Sequence, residues 1–120
     1  MKPKDLKDRT KQFAIAVLKY LDKVPKNRPY STISDQLARC SMSVGANYRA
    51  ASRAKSSADF INKLKIVEEE CDESMYHIEI FQTLLPEDKS QLEILHKEAN
   101  ELLSIIVASI KTARLNNPKR

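Results

Sequence analysis

The stretch "SMSVGANYRAASRAKSSADF", residues 41–60, decides the fold. It holds the single glycine of a 120-residue chain, yet the residues around Gly45 keep helical spacing. Upstream and through it, Ile33, Leu37, Cys40, Val44, Asn47 and Ala51 recur at intervals of four, three, four, three and four, the repeat of a helix-bundle seam. Downstream, Ser56 or Ser57 offers a side-chain oxygen to cap a new helix. Phe60, Leu64, Val67, Cys71, Met75, Ile78, Phe81 and Leu85 then continue the same spacing until Pro86. Two amphipathic helices, about 32–53 and 57–85, therefore meet at a short polar break.

Outward from this pair the same logic finds two more helices. Leu6, Phe13, Val17, Tyr20 and Val24 form one apolar stripe on a helix over about 4–23. The two prolines of "VPKNRPYS" make residues 24–31 a connection, after which Ser31 or Thr32 is expected to cap the second helix. Leu92, Leu95, Ala99, Leu102, Ile106, Ile110 and Ala113 line a fourth helix over about 89–114, followed by the polar tail "LNNPKR". Four such helices predict an all-α fold, an antiparallel up-down-up-down four-helix bundle in one domain over 1–120. Composition agrees: one glycine, five prolines, no tryptophan and an abundance of Ala, Leu, Ile, Glu and Lys disfavour a sheet.

The formal charge of +5 hides an asymmetry. Residues 1–56 hold 13 Lys/Arg against 4 Asp/Glu, whereas residues 57–120 hold 8 against 12. Such a split suits a negatively charged partner for one surface, or attraction between the halves within the fold or between subunits. The charged start "MKPKDLKDRTKQ" does not resemble a secretion signal, and no apolar run approaches about 20 residues, so the expectation is a cytoplasmic protein that does not enter a membrane. Cys40 and Cys71 fall on apolar seams and read as buried free thiols.

Inside a helix Gly45 costs on the order of 1 kcal/mol relative to alanine. With Ser41 and the neighbouring alanines it makes a smooth surface on which another helix, of this chain or of a second subunit, can approach closely. At about 100° per residue, Arg39, Arg49 and Arg53 fall within roughly a quarter turn of one another, opposite the apolar stripe. Lys55 extends this basic ridge, and Lys11, Lys19, Lys23, Lys26 and Arg28 add to it from the first helix and loop. Lysine and arginine neutralise phosphates, which makes the ridge a candidate nucleic-acid footprint. On the third helix "EEECDES" places Glu68, Glu69, Glu70, Asp72 and Glu73 within six residues, a density that needs cations of a neighbouring helix or subunit nearby.

Catalytic and metal chemistry find little support. A bundle di-iron site needs two Glu-x-x-His pairs and two further glutamates, but Glu93-Ile94-Leu95-His96 is the single such pair, and Glu73 and His77 are four apart. Cys71 near His77 is short of ligands for zinc. There is no Ser-His-Asp or Cys-His signature, no glycine-rich phosphate loop and no His-Glu-x-x-His. No enzyme activity, cofactor or metal is expected.

Residues 36–81, "QLARCSMSVGANYRAASRAKSSADFINKLKIVEEECDESMYHIEIF", resemble the core of the 23S rRNA intervening sequence proteins, also called four helix bundle proteins. The pattern is a helix reading S-[VI]-x-x-N, a basic or small segment, then a helix that opens Ser/Ala-x-x-F and has an acidic middle. Ser43, Val44, Asn47, Arg49, Ser57, Phe60, Leu64, Glu69, Glu70 and Glu73 match it. Many members continue as Asn-Ile-Ala-Glu-Gly, whereas this chain has Asn47-Tyr48-Arg49-Ala50-Ala51, so no role of the Glu-Gly pair carries over. The family is similar to the accessory variability protein of diversity-generating retroelements, a basic pentameric bundle linked to nucleic acid and a reverse transcriptase. The resemblance implies a ring-like homo-oligomer, a pentamer, that binds RNA or DNA, RNA foremost. It implies Gly45 as a close helix contact, Asn47 as a buried polar residue that sets helix register, and Glu69 and Glu73 in packing or oligomer contacts. The alternative is a protein-binding adaptor, such as a partner of a reverse transcriptase.

Overall fold

In the computed structural model, which describes residues 3–116, the helices are α1 (Pro3–Leu21), α2 (Tyr30–Ala51), α3 (Ser57–Leu84) and α4 (Lys89–Asn116), with a single 3-10 turn at Pro86–Asp88. Of the polar tail, residues 117–120 lie outside the described part. Each helix packs antiparallel to the next, α4 returns to α1, and the backbones of the diagonal helices stay apart among the described residues, so the four stand at the corners of a square. The result is an up-down-up-down four-helix bundle with extents of 49 × 22 × 21 Å. The α1–α4 edge is the sparsest contact of the four.

Local chemistry sets the helix ends. Ser56 is the N-cap of α3: its hydroxyl accepts the Asp59 N–H at 3.1 Å, and the Asp59 carboxylate accepts the Lys55 N–H at 3.1 Å. That second bond, with the charges of Lys63 and Lys55, holds the Asp59 carboxyl below its usual range. At α2 the expected cap is corrected. The helix starts at Tyr30, its N-cap position is Pro29, and neither Ser31 nor Thr32 caps it. Carbonyls of the connection take the first amides instead, with Ser31 N–H donating to Asn27 O at 3.1 Å and Ile33 N–H to Pro29 O at 3.3 Å. α1 stops at Leu21, where Lys26 Nζ donates to the Leu21 and Asp22 carbonyls.

The core is the seam read from the sequence. Phe13, Val17, Leu37, Val44, Leu64, Val67, Ile78, Phe81, Leu92, Leu102 and Ile106 are buried, with Leu6, Tyr20, Val24, Leu85, Leu95, Ala99 and Ile110 around them. Tyr20 meets Phe81 edge to face at 6.0 Å and donates its hydroxyl to Asp88 at 2.8 Å, tying the start of α4 to the end of α1. Burial, reinforced by that acceptor, pushes the Tyr20 phenol up. Ile33, Phe60, Met75 and Ala113 are only half-buried, while Tyr48, Ile61 and Ser74, outside the stripe, are buried. Asn47 is half-buried and donates to Ser43 O of its own helix at 2.9 Å, so its amide bond does not reach across a helix pair. The buried hydroxyls of Thr10, Ser41 and Ser74 are satisfied the same way, by carbonyls three or four residues back.

Candidate nucleic-acid interface

Gly45 lies where α1 crosses α2. A Cβ there would stand 3.4 Å from Thr10 Oγ1 and 3.5 Å from the Thr10 carbonyl carbon, so α1 passes over it at van der Waals distance. Beside the crossing an open groove of about 340 Å³ runs between the two helices. Ala14, Gly45, Ala46 and Met42 line it together with Lys7, Lys11 and Arg49. These three cations are exposed and make no ion pair among the described residues. Small residues keep the groove open, and long basic side chains beside it carry charge that no ion pair among the described residues offsets.

The predicted basic residues divide into groups. Lys11 and Arg49 come together here, and Lys7, one turn from Lys11 on the same face, joins them. The four-residue spacing of Lys7 and Lys11 is the sequence signal for this pair. Arg53 and Lys55 are exposed just past the end of α2, at the same end of the bundle. Lys19 is about 12 Å further along α1 than Lys11 by helical rise, and Lys23 follows the helix end, so both belong to the opposite end. Arg39 is not part of an outward ridge. It pairs with Glu73 and lies 3.5 Å from Glu70, both on α3. About 80° separates Arg39 from Arg49 around α2, enough to turn one toward α3 and the other toward α1.

The acidic segment is likewise divided. Glu70 and Glu73 face Arg39, and Glu73 also lies 3.6 Å from His77. Burial pushes the Glu70 carboxyl up, the neighbouring Glu73 charge adds to this, and Arg39 opposes it. Glu68, Glu69 and Asp72, with Lys65, line a groove between α3 and α4 beside Leu103 and Val107. In a square bundle that is the side opposite the α1/α2 groove. Both cysteines are buried and unpaired. Burial pushes the Cys71 thiol up to about 12 and raises that of Cys40, so neither is a ready nucleophile at neutral pH.

A small α-helical bundle with a basic groove on one side and an acidic one on the other is the class of protein the fold defines. The chain belongs to the 23S rRNA-intervening sequence protein family, whose model matches residues 4–108. It is also similar to a crystal structure from Bacteroides thetaiotaomicron, a protein of unknown function from the S23 ribosomal protein family. That similarity amounts to 30% identity over 88% of this chain and 98% of the other, with a TM-score of 0.82. A comparison with curated proteins finds no match. Among the described residues no helix is long and apolar enough to cross a membrane.

Proposed function

We propose that the protein is a non-enzymatic, homo-oligomeric nucleic-acid-binding bundle, with RNA as its foremost ligand and the α1/α2 groove as the contact surface. The observation that carries this is the juxtaposition of Lys7, Lys11 and Arg49, without ion-pair partners among the described residues, over a floor kept low by Gly45, Ala14 and Ala46. Phosphates binding there would release counterions, and arginine can hold one with two parallel hydrogen bonds. Arg53 and Lys55 extend the same end of the surface. With three phosphate contacts per protomer, the slope of log affinity against log salt is about −2.1 for single strands and about −2.7 for duplex. The test is titration of structured RNA, single-stranded RNA and duplex DNA across a salt series. Lys11→Glu with Arg49→Glu is expected to abolish binding while circular dichroism stays helical. Unchanged binding by the double variant refutes the groove assignment.

A second reading is supported by the opposed charges. The acidic strip on α3/α4 lies at about the same height along the bundle as the α1/α2 groove, because Arg39 meets Glu73 and Cys40 meets Ser74 across antiparallel helices. A basic side that receives the acidic side of the next copy is a head-to-tail contact, which closes into a ring when the rotation allows. In that case the protein is an oligomeric adaptor for a protein partner, such as a reverse transcriptase. Its oligomer should then dissociate at high salt, and nucleic-acid affinity should be no better than nonspecific.

A further inference from the structure

Among the described residues, the two buried side-chain polar atoms that lack a hydrogen-bond partner are Glu70 Oε1 and His77 Nδ1. Glu70 Oε1 faces Arg39 Nη1 at 3.5 Å, whereas His77 Nδ1 has no such neighbour and belongs to the group of side chains gathered at Cys40 of α2. Buried polar groups in folded proteins nearly always have a partner, so the unpaired imidazole nitrogen of His77 calls for a ligand. The residues grouped with His77 are the ones a soft-to-borderline metal ion uses. Glu73 and His77 are one helical turn apart, and each offers a ligand atom within 4.8 Å of the other's and of the Cys40 sulfur.

From this geometry we infer that Cys40, Glu73 and His77 form a binding site for a divalent transition-metal ion of the zinc class, with water as the fourth ligand. Thiolate, imidazole and carboxylate are the donors zinc takes, and three protein ligands plus one water complete a tetrahedron. Cys40 and Glu73 would supply two negative charges, balancing the ion. Arg39 now holds the positive charge beside Glu73 and Glu70. Its side chain is 50% exposed and can swing to solvent, which opens the approach past Glu73. Ser74 Oγ lies 3.3 Å from Cys40 Sγ; its one proton bonds the Glu70 carbonyl at 2.8 Å and, turned to the sulfur, would give a thiolate an outer-shell partner. Cys71 has no part in the site, which is why spacing along α3 alone did not reveal it: the sulfur comes from the facing helix.

The test uses tag-free protein stripped with chelator and titrated with zinc by calorimetry and with cobalt by visible absorption. The expected result is one equivalent per chain with a thiolate-to-cobalt charge-transfer band. Cys40→Ser and His77→Gln should each weaken binding by more than about tenfold, since loss of even an outer-shell partner costs 10–100-fold at such sites. Cys40→Ser should also remove the thiolate band. Cys71→Ser should leave both readouts unchanged, and Arg39→Ala should bind at least as tightly as the parent. If Cys40→Ser fails to fold, Glu73→Gln and His77→Gln, at positions that are not fully buried, decide the matter. Absence of stoichiometric binding, cobalt binding without a thiolate band, or binding indifferent to His77→Gln overturns the assignment.

Discussion

At the scale of single residues, Gly45 shows how a local cost is offset by a neighbour. Glycine inside a helix gives up about 1 kcal/mol relative to alanine. Here it allows the α1 backbone at Thr10 to lie against α2. The modest clearance has a consequence. A Cβ at 3.4 Å from Thr10 Oγ1 is in ordinary contact, so Gly45→Ala should fit and stabilise the fold by up to about 1 kcal/mol. A larger side chain, as in Gly45→Leu, must push α1 away and should destabilise by about 1–3 kcal/mol. Urea denaturation of the two variants checks this, and a destabilised alanine variant would show that the crossing is tighter than its geometry implies. That glycine was conspicuous in the sequence because it broke a helical run, but which helix used the space was not, since one helix's spacing says nothing about its neighbour's position. Arg39 illustrates the same limit. Its angle around α2 was legible, whereas its pairing with Glu73 depends on how α3 packs.

At the scale of elements, the seams were legible because apolar spacing of three and four is imposed directly by burial of one helix face. Tyr48 and Ser74 lie outside that strict stripe, yet contact with two neighbouring helices buries a wider face than the stripe marks. The sparse α1–α4 edge gains its definition from charge. Arg9 Nε donates to Glu98 at 2.7 Å and Arg9 Nη2 to Glu98 at 2.8 Å, with a further bond from Nη2 to Glu101 at 2.8 Å. Exposed pairs contribute little, but a two-pronged, partly buried guanidinium is the favourable case. A double-mutant cycle on Arg9→Ala and Glu98→Gln should give a coupling of about 0.5–1 kcal/mol that shrinks in high salt. Zero coupling at low salt would mean that the Arg9–Glu98 pair adds nothing to this edge.

At the scale of the whole molecule, the bundle buries several groups whose protonated form is the neutral one. Cys71 and Cys40, with ordinary values of 9.0, and Tyr20 and Tyr48, with ordinary values of 10.0, are all pushed up, each chiefly by burial. Raised acid groups of this kind leave stability intact below the unfolded-state value. Above it the unfolded chain releases a proton that the folded chain keeps, and stability falls until the folded value is reached. For Cys71 the window runs from 9.0 to about 12. Within it the group contributes a loss of about 1.4 kcal/mol per pH unit. The bundle should therefore be flat in stability up to about pH 8 from these groups and weaken steeply above 9, as the thiols and then the tyrosines take part in turn. Cys71→Ala should begin somewhat less stable at pH 8, through the lost sulfur, but show a slope shallower by about 1.4 kcal/mol per unit between pH 9.5 and 11. Urea melts of parent and variant at pH 8, 9.5 and 11 measure the two slopes. Parallel slopes would mean that the Cys71 thiol titrates alike in the folded and unfolded chain, and that its burial carries none of the alkaline lability.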